Sequence, residues 1–593
     1  MERLISKSIN ILIEFIRRHE ILCLFCLVYF IYNINGRTIA EGDTIPASLL
    51  PFNILENHNL YLDSFYEYFT KAHYTIWFFT PVSGHYLSTY PIVTPALITP
   101  LYVIPYLLLK LNHFPIALSN PEFSMIVPIM EKLTASFITV IAVIFVYLFL
   151  KELISKRIAL IGAMIFAFAT DTWTTSSQGL WQHGLVELLL AASIYIIILN
   201  EKSKSNKNIM FLGILSGLFV FNRPVDSILL VPILYYILNL RDQRIAYYFG
   251  SMALSGGPFL LYNFYYFGNL FGGYGSFLQA FSIDTKNLIS FAGLLISPSR
   301  GLFIYSPILI FSIFGYIKSR KIENKNVKNL FNFFGIAILT QILIYSFFNV
   351  WWAGGSYGPR FLTGMLPGLF IFLGLYIEEI HINIKPKKNL FIIFIFSILL
   401  IWSIFVQIVG AFYYPNGDWN GSPNVDLHPE KCWYWNDTQI MRSFNAGIIS
   451  PGNYIKTLQT IANPPQDIVA KGNLGKGWYG IDTRDGTSTR WMENDSLVTL
   501  YSPENRTANL SLRLTSLYRP RTIEIYAGDE LALRANVSST EFEDTTTPIH
   551  LMKGTNTLRF HIPEGGERPS DIKELNNPDP RYLSVSVQNI SVV

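Results

Sequence analysis

Eleven apolar segments, each close to membrane-spanning length, constrain the fold of this chain more than any other feature. They lie at 20–35, 129–150, 157–171, 184–200, 208–222, 226–240, 245–266, 303–317, 329–348, 362–379 and 390–411. Of the 593 residues, 51% are hydrophobic and only 15% are charged, values that exclude an ordinary soluble protein. We therefore predict a polytopic α-helical membrane domain over 1–411, with about eleven transmembrane helices.

Short basic tracts between these segments indicate their orientation. Lys and Arg cluster at 151–157, 201–207, 241–244, 318–328 and 385–388, and at the N-terminus. Because cytoplasmic loops carry the excess of Lys and Arg, we place all these tracts in the cytoplasm. The N-terminus is then cytoplasmic and the C-terminus extracytoplasmic. The charge pattern indicates membrane topology and argues against nucleic-acid binding.

A further apolar segment, 90–111, does not fit this arrangement, because counting it as a span moves every later basic tract outside. Pro91, Pro95 and Pro100 weaken a regular helix and suit backbone that is buried in protein. We predict a re-entrant or interfacial helix here. The external loop then extends over 36–127, and its polar and aromatic half is expected to form amphipathic helices along the membrane surface.

The composition becomes polar after the last apolar segment. Alternating runs beginning at Ser496, Asn509, Arg521 and Thr557 are separated by Gly, Asn and Pro, a pattern typical of short antiparallel strands. We predict an external, jelly-roll-like β-sandwich over 480–593, joined to the membrane domain by a connector over 412–479. Seven glycosylation sequons support the expectation that this region lies outside the cell and can carry glycans. They begin at Asn420, Asn436, Asn494, Asn505, Asn509, Asn536 and Asn589.

The predicted topology places a limited set of polar residues on the outer side. Glu41 and Asp43 follow the first span, and the turns between later spans contribute Gln182, His183, Arg223, Tyr274, Arg300, Trp351, Trp352, Tyr357 and Arg360. Each has a structural interpretation, such as an arginine that reaches lipid headgroups or a tryptophan in an aromatic belt. Together they suit a lipid-linked phosphate, because arginine forks bind phosphate oxygens and a carboxylate removes a proton from a hydroxyl.

This layout resembles the GT-C superfamily of membrane glycosyltransferases, in particular the branch of the protein O-mannosyltransferases and the lipid A aminoarabinose transferase. The resemblance implies a catalytic Asp in the first external loop, where Asp43 occupies the matching place, and a sugar donor carried on polyprenyl phosphate. Two features depart from the family. Thr44 follows Asp43 where relatives place Glu, and Tyr90 precedes Pro91 where relatives have a basic residue.

The departures move the expected phosphate contacts to Arg223, Arg300 and Arg360. The β-sandwich is similar to carbohydrate-binding domains that several GT-C enzymes append. The resemblance suggests that its aromatic residues either stack on sugars or pack in the core, and these residues are Trp478, Tyr479 and Trp491.

The predicted function is inverting transfer of a sugar from a polyprenyl-phosphate donor to an acceptor on the extracytoplasmic side. Asp43, with Glu41, is the general base, and three arginines bind the phosphate. The sugar or acceptor pocket is formed by Gln182, His183, Tyr274, Trp351, Trp352 and Tyr357. No cofactor is required, although a divalent metal ion is compatible. The partners are the lipid donor, a glycan, lipid or protein acceptor, and membrane lipid.

Two alternatives remain open. The first is a transporter or flippase for lipid-linked glycans, which needs ionisable residues deep within the spans, and Glu187 is the candidate. The second is a non-catalytic membrane-anchored protein that presents a glycan-binding domain.

Overall fold

The protein is mostly helical up to residue 452 and forms antiparallel β-sheets from residue 478 onwards. The computed structural model describes residues 18–71, 76–112, 114–118, 120–382, 388–452, 454, 474–484, 487–502, 505–575, 577 and 579–592. The predicted fold class, a polytopic helical membrane protein with a C-terminal all-β domain, is confirmed. The basic N-terminal segment 1–17 lies outside the described residues.

Each of the eleven predicted spans is wholly or largely helical. The helices are α1 (Glu20–Asn33), α2 (Ile45–Asn57), α3 (Asp63–Lys71), α4 (Val93–Leu111), α5 (Pro121–Leu153), α6 (Lys156–Phe168), α7 (Gln182–Ser203), α8 (Asn206–Asn222), α9 (Val231–Leu238), α10 (Arg244–Phe267), α11 (Asn287–Ile296), α12 (Leu302–Tyr305), α13 (Phe311–Ser319), α14 (Lys325–Ser346), α15 (Leu366–Ile382), α16 (Lys388–Phe412) and α17 (Gln439–Ala446).

Six helices in the described residues are long and apolar enough to cross a membrane, judged by length and composition. Five of them, α5, α7, α14, α15 and α16, correspond to predicted spans. The other six predicted spans are helices that are shorter or less apolar, so the count of eleven stays a prediction.

The sixth of these helices is α4, the segment that we expected to be re-entrant or interfacial. Its prolines do not interrupt it, and Pro100 and Pro105 both lie inside a continuous helix of 19 residues. At about 1.5 Å per residue such a helix is roughly 28 Å long, close to the thickness of a bilayer core. The prolines therefore do not break this helix, and its re-entrant or interfacial course stays a prediction.

Helices α8 and α10 approach each other closely through glycine. A Cβ atom on Gly217 of α8 would lie 2.5 Å from the carbonyl oxygen of Met252 and 2.9 Å from the amide nitrogen of Gly256, both in α10. Backbone atoms cannot move aside as a side-chain end can. Glycine at this position is therefore a packing requirement.

We expect Gly217→Ala to destabilise the protein by about 1–3 kcal/mol, the usual cost of overpacking, and to lower its thermal unfolding midpoint in detergent. The matched control is Gly257→Ala in α10, because a Cβ there would meet no atom within 4 Å. An equal midpoint for the two variants would contradict the close approach of the helices.

The β domain consists of two antiparallel sheets that share one core. Its strands are β3 (Trp478–Arg484), β4 (Thr487–Met492), β5 (Asp495–Ser502), β6 (Arg506–Ser516), β7 (Arg521–Ala527), β8 (Glu530–Val537), β9 (Glu543–Leu551), β10 (Gly554–His561) and β11 (Val585–Val592), following a β1–β2 hairpin (Phe79–Val82, His85–Ser88). The sheet orders are β5-β10-β7-β8 and β3-β4-β11-β6-β9. Alternate residues of β6 are buried, and the apolar core draws on both sheets, as the period-2 pattern predicts.

Contacts divide the described residues into two compact units. The first unit contains the described parts of Met1–Ala47, Ser88–Leu97 and Glu131–Gly452. The second contains Ser48–Leu87 and Ile98–Met130 together with the described residues after Gly452. The predicted domain boundaries at 411 and 479 remain a proposal.

Candidate active site

Asp43 occupies a short 3-10 turn, Gly42–Thr44, that follows α1. Its Oδ2 atom accepts a hydrogen bond from Nη1 of Arg360 at 2.7 Å, and its Oδ1 atom accepts one from the hydroxyl of Tyr90 at 2.6 Å. The Asp43 side chain is 24% exposed and that of Arg360 is 9% exposed. The carboxylate is therefore held on both oxygens and is still reachable from outside.

Tyr90 is the residue that departs from the family resemblance, which implies a basic residue before Pro91. Burial and the charge of Asp43 raise the pKa of the Tyr90 hydroxyl well above its usual value, so the phenol stays a neutral donor. The segment before α4 thus contributes a hydrogen-bond donor to the carboxylate and no charge.

Arg360 is fixed from two further directions. Its Nη2 atom donates to the carbonyl oxygen of Ala353 at 2.9 Å, and its guanidinium lies 4.1 Å from the ring centroid of Trp181. Its Nε atom is buried and has no hydrogen-bond partner among the described residues. One donor of this guanidinium is therefore left without a protein acceptor.

Glu41 lies beside Asp43 and lines a small cavity with room for about one water molecule. A Cβ atom on Gly355 would come within 3.2 Å of its Oε1 atom, so the carboxyl is crowded although the residue reaches solvent. Burial of the carboxyl, aided by Asp43 and Asp426 and opposed by Arg360, raises the pKa of Glu41 to about 7.

Arg223 belongs to a buried network next to this centre. Its Nε and Nη2 atoms donate to the hydroxyl of Tyr345 at 3.1 and 3.0 Å, and its Nη1 atom donates to Oε1 of Gln182 at 3.3 Å. Asp226 lies 3.2 Å from Nε and completes an ion pair. Arg223 therefore already has a carboxylate partner, whereas an arginine that binds phosphate would have donors left for the phosphate oxygens.

Tyr274 and His183 lie near both arginines. Burial raises the pKa of the Tyr274 hydroxyl, and Arg223 and Arg360 act in the opposite direction. His183 is the second residue of α7, is 1% exposed, and interacts electrostatically with the same two arginines. Its Nδ1 atom has no hydrogen-bond partner among the described residues.

The guanidinium of Arg300 is bonded entirely to protein. The structure provides protein acceptors for its five N–H groups, namely Trp352 O (2.7 Å), Ser299 O (2.8 Å), Gln439 Oε1 (2.8 Å), Gly354 O (3.0 Å) and Asn420 Oδ1 (2.8 Å). Its guanidinium also lies 5.0 Å from the ring centroid of Trp419. Each donor of Arg300 is bonded to protein and none is left for a phosphate oxygen, so this arrangement does not support the phosphate contact that we expected of Arg300.

Trp351, Trp352 and Tyr357 lie in the loops around Arg300 and are buried. The two indole rings are nearly perpendicular, and Nε1 of Trp352 donates to Oδ1 of Asp426 at 2.8 Å. The Tyr357 hydroxyl donates to the carbonyl oxygen of Val406 at 2.9 Å. Of the three, Tyr357 also lines the small cavity at Glu41.

The structure thus gathers one group of the expected site residues and sets another apart. Asp43, Glu41, Arg360, Tyr274, Arg223, Gln182 and His183 form the first group. Arg300, Trp351 and Trp352 form the second, in the loops that support Arg360.

Residues 130–262 match the family model of dolichyl-phosphate-mannose-protein mannosyltransferases. This match confirms the resemblance to GT-C glycosyltransferases. The matched range begins within α5 and ends within α10, and it includes Trp181, His183 and Arg223. A search of curated proteins found no match.

Solved structures show similarities at low identity. ArnT from Cupriavidus metallidurans, bound to undecaprenyl phosphate, is 10% identical, with a TM-score of 0.42, over 72% of this chain and 75% of that chain. The apo oligosaccharyltransferase of Archaeoglobus fulgidus is 12% identical, with a TM-score of 0.40, over 74% and 61%. A family 35 carbohydrate-binding module from an environmental isolate is 13% identical, with a TM-score of 0.16, over 20% and 86%. At these TM-scores the similarities carry no conclusion of their own.

A divalent metal does not fit the residues around Asp43. The described part of the chain contains no group of three or more His, Cys, Asp and Glu side chains that could hold an ion. Asp43 is already paired with the guanidinium of Arg360, whose positive charge repels a cation.

Tyr90 and Trp181, which contact Asp43 and Arg360, were not expected to belong to the site. Both are uncharged aromatic residues in an aromatic-rich chain, so no charge drew attention to them. The buried pair Glu131 and Lys132 in α5 was not expected either, although two adjacent charges within an apolar span are a visible signal. Glu131 accepts a hydrogen bond from the backbone of Leu180 at 3.1 Å and so helps to hold the loop that carries Trp181.

In the β domain, Trp478 and Tyr479 are buried, and Nε1 of Trp478 donates to the carbonyl oxygen of Leu497 at 2.8 Å. Trp491 packs against the cluster that contains Tyr479. Packing within the domain, the second alternative, fits these rings. An open groove of about 270 Å³ lies instead on the face of the five-stranded sheet, lined by Ser511, Leu512, Arg513, Asp544, Thr546 and Gln588.

Proposed function

We propose that this protein is a membrane glycosyltransferase that transfers a sugar from a polyprenyl-phosphate donor to an acceptor on the extracytoplasmic side. The observation that carries the proposal is the position of Asp43 between Arg360 and Tyr90. The family match supports a sugar transferase whose donor is a polyprenyl-type phosphate, because dolichyl phosphate belongs to that class. The predicted orientation, with a cytoplasmic N-terminus and an extracytoplasmic C-terminal domain, is part of the proposal.

Asp43 is the general base of the proposed reaction. The Asp43 carboxylate accepts hydrogen bonds from Arg360 and Tyr90, and its side chain is 24% exposed, so an acceptor hydroxyl can approach it from outside. As the acceptor oxygen bonds to the anomeric carbon, its proton passes to Asp43 and the bond between that carbon and the phosphate oxygen breaks. Direct attack opposite the leaving group inverts the anomeric configuration.

Arg360 is the proposed phosphate contact. Its guanidinium can stabilise the negative charge that develops on the leaving polyprenyl phosphate, and its free Nε atom is a donor for a phosphate oxygen. Arg223 is paired with Asp226, which offsets its charge, so it is assigned no direct contact with the phosphate. Of the three arginines expected to bind phosphate, Arg360 alone is assigned direct contact.

The sugar or acceptor is proposed to contact His183 and Tyr274. The unpartnered Nδ1 atom of His183 is a buried polar atom that needs a partner, and a sugar hydroxyl would supply one. Gln182 acts indirectly, because its side-chain oxygen is bonded to Arg223.

The test is a transfer assay with the purified full chain in proteoliposomes. Polyprenyl phosphates that carry radiolabelled mannose, glucose or galactose are supplied with a membrane glycan and glycolipid extract as acceptor. We expect at least one donor to lose its label to the extract, with release of one free polyprenyl phosphate per sugar and an inverted linkage. Movement of intact lipid-linked sugar across the bilayer without cleavage would overturn the proposal in favour of a flippase, as would consumption of none of the donors.

The rate is also expected to depend on Glu41. A carboxyl whose pKa is raised from 4.5 to about 7 ionises near neutral pH and adds negative charge beside Asp43. We expect kcat/KM to rise as the pH passes through about 7 and Glu41→Gln to remove this inflection, measured from pH 4.5 to pH 8. Exposed Glu323 provides the control substitution. An inflection that persists in Glu41→Gln would assign it to another group.

The groove on the β domain favours an additional glycan-holding role for that domain. Gln588 sits where the pairing of β11 with β6 shifts register, and its Oε1 atom is buried with no hydrogen-bond partner in the described residues. Arg513 pairs across the strands with Asp544, which places a donor and an acceptor side by side. Binding of the full chain in detergent to a glycan array, lost in an Arg513→Ala, Asp544→Ala double variant, would support this role. No binding by the unaltered chain would overturn it.

A further inference from the structure

The connector beyond the last apolar segment supplies a side chain that is bonded to the loop carrying Arg360. Gln439, the first residue of α17, is 0% exposed, and both the oxygen and the nitrogen of its side-chain amide are hydrogen-bonded. Its Oε1 atom accepts hydrogen bonds from Arg300 Nη1 (2.8 Å), Tyr305 OH (2.9 Å) and Gly358 N (3.1 Å). Its Nε2 atom donates to Ser356 O (2.9 Å) and Asn420 Oδ1 (3.1 Å).

Residues 352–358, which we call the clamp loop, depend on side chains for their backbone hydrogen bonds. Arg300 donates to the carbonyl oxygens of Trp352 and Gly354, at 2.7 and 3.0 Å. The carbonyl oxygen of Gly355 accepts from the hydroxyl of Tyr414 at 2.6 Å and from Asn420 at 2.8 Å. A loop without regular backbone pairing is held only as well as these side chains hold it.

The clamp loop leads directly to the proposed active centre. Arg360 lies two residues after Gly358, and its Nη2 atom donates to the carbonyl oxygen of Ala353 within the clamp loop. Its Nη1 atom meets Asp43. A displacement of the clamp loop would therefore move Arg360 relative to the carboxylate.

We propose that Gln439 is a positioning residue of this active centre, which makes the connector a working part of it. The inference rests on the proposed function, because it assigns Gln439 an effect on the Asp43–Arg360 pair. Gln439 touches neither of these residues and acts through the clamp loop, as the partner of Gly358, Ser356 and Arg300.

The same hydrogen-bond network includes Asn420, the first residue of one of the glycosylation sequons. The side-chain nitrogen of Asn420 donates to Gly355 O, Ser356 O and the hydroxyl of Tyr414, at 2.8, 3.2 and 2.8 Å. Attachment of a glycan to this nitrogen would break these bonds. Asn420 is therefore part of the clamp and is unsuited to glycosylation, in contrast to exposed Asn436, Asn509 and Asn536.

The experiment compares Gln439→Leu with Gln439→Glu and measures two quantities. The first is the accessibility of the clamp loop, measured as the maleimide labelling rate of a cysteine placed at buried Ser356. Cys23 and Cys26 are replaced by serine in this background, while buried Cys432 is kept. The second quantity is kcat for sugar transfer, measured with Ser356 intact.

We expect Gln439→Leu to raise the labelling rate at least tenfold and to lower kcat by about 10- to 100-fold, the scale of a misplaced catalytic group. Gln439→Glu keeps the oxygen that accepts from three donors, so kcat should recover in part. The matched control is Asn200→Leu, which removes a buried amide bonded to Tyr236 at 2.8 Å. It should lower the thermal unfolding midpoint and leave both quantities unchanged.

An unchanged labelling rate in Gln439→Leu would contradict the claim that Gln439 holds the clamp loop. Faster labelling with a wild-type kcat would contradict its role in positioning Arg360. If the unaltered chain transfers no sugar, the proposed function fails and the positioning role fails with it. The labelling rate still decides in that case whether Gln439 holds the clamp loop.

Discussion

Replacing Asp43 with asparagine is expected to lower kcat for sugar transfer by about 10²- to 10⁴-fold, the usual contribution of a general base. Asparagine has the same shape and keeps an oxygen for the hydroxyl of Tyr90, but it cannot take the proton of the acceptor. The measurement is transfer from a labelled polyprenyl-phosphate sugar in proteoliposomes. Asp284→Asn, at an exposed turn, is the control, and a rate within tenfold of wild type would remove Asp43 from the chemistry.

The substitution also breaks the ion pair with Arg360, and this second effect must be separated from the first. Measuring Asp43→Asn again in an Arg360→Lys background separates them. If Asp43 serves only to hold Arg360, Asp43→Asn will lower kcat little further in the Arg360→Lys background. If Asp43 accepts the proton, a large further loss remains.

The second large effect is expected at Arg360. Arg360→Ala should lower kcat by about 10²- to 10³-fold, the loss typical of removing one donor that stabilises charge in a transition state. Arg360→Lys should recover only part of this rate. Lysine restores the charge but has a single nitrogen. The planar guanidinium of Arg360 donates to Asp43 and to Ala353 O with two nitrogens and also lies over the ring of Trp181, and lysine cannot make these three contacts together.

The control for this series is Arg244→Lys, because Arg244 is paired with Asp242 in a turn that we assign to the cytoplasmic side. It should leave kcat unchanged. Wild-type transfer by Arg360→Ala would contradict the proposed phosphate contact and would return Arg223 to consideration.

Much of the fold could be predicted because hydrophobic patterning is a local property of the sequence. Apolar segments of spanning length became helices, and the alternating run at Asn509 became β6, with buried and exposed residues in turn. Helix α4 was predicted as a helix, although three prolines in its segment were expected to weaken it. The helix accommodates Pro100 and Pro105 without a break.

The candidate site was only partly predictable, because a charged residue in a turn has the same sequence whether its partner is a ligand or the protein. Asp43 stood out as a carboxylate next to an apolar span. Arg300 and Arg360 both follow glycine-rich or serine-rich turns, yet Arg300 is saturated by protein acceptors and Arg360 keeps a free Nε atom. The decisive partner, Gln439, is 139 residues from Arg300 in the sequence. No local pattern reveals such a contact.

The composition of the second compact unit has a consequence for the order of events during synthesis. Its early parts, Ser48–Leu87 and Ile98–Met130, emerge from the ribosome before all of Glu131–Gly452, whereas the β strands that complete the unit emerge last. Arg490 of β4, which interacts with Glu122 and Tyr68, joins these early parts only then. Contacts between such distant segments form slowly. The early segments therefore lack their β-strand contacts while the helices between them and the β domain are synthesised. In a chain that stops before β3, these contacts never form.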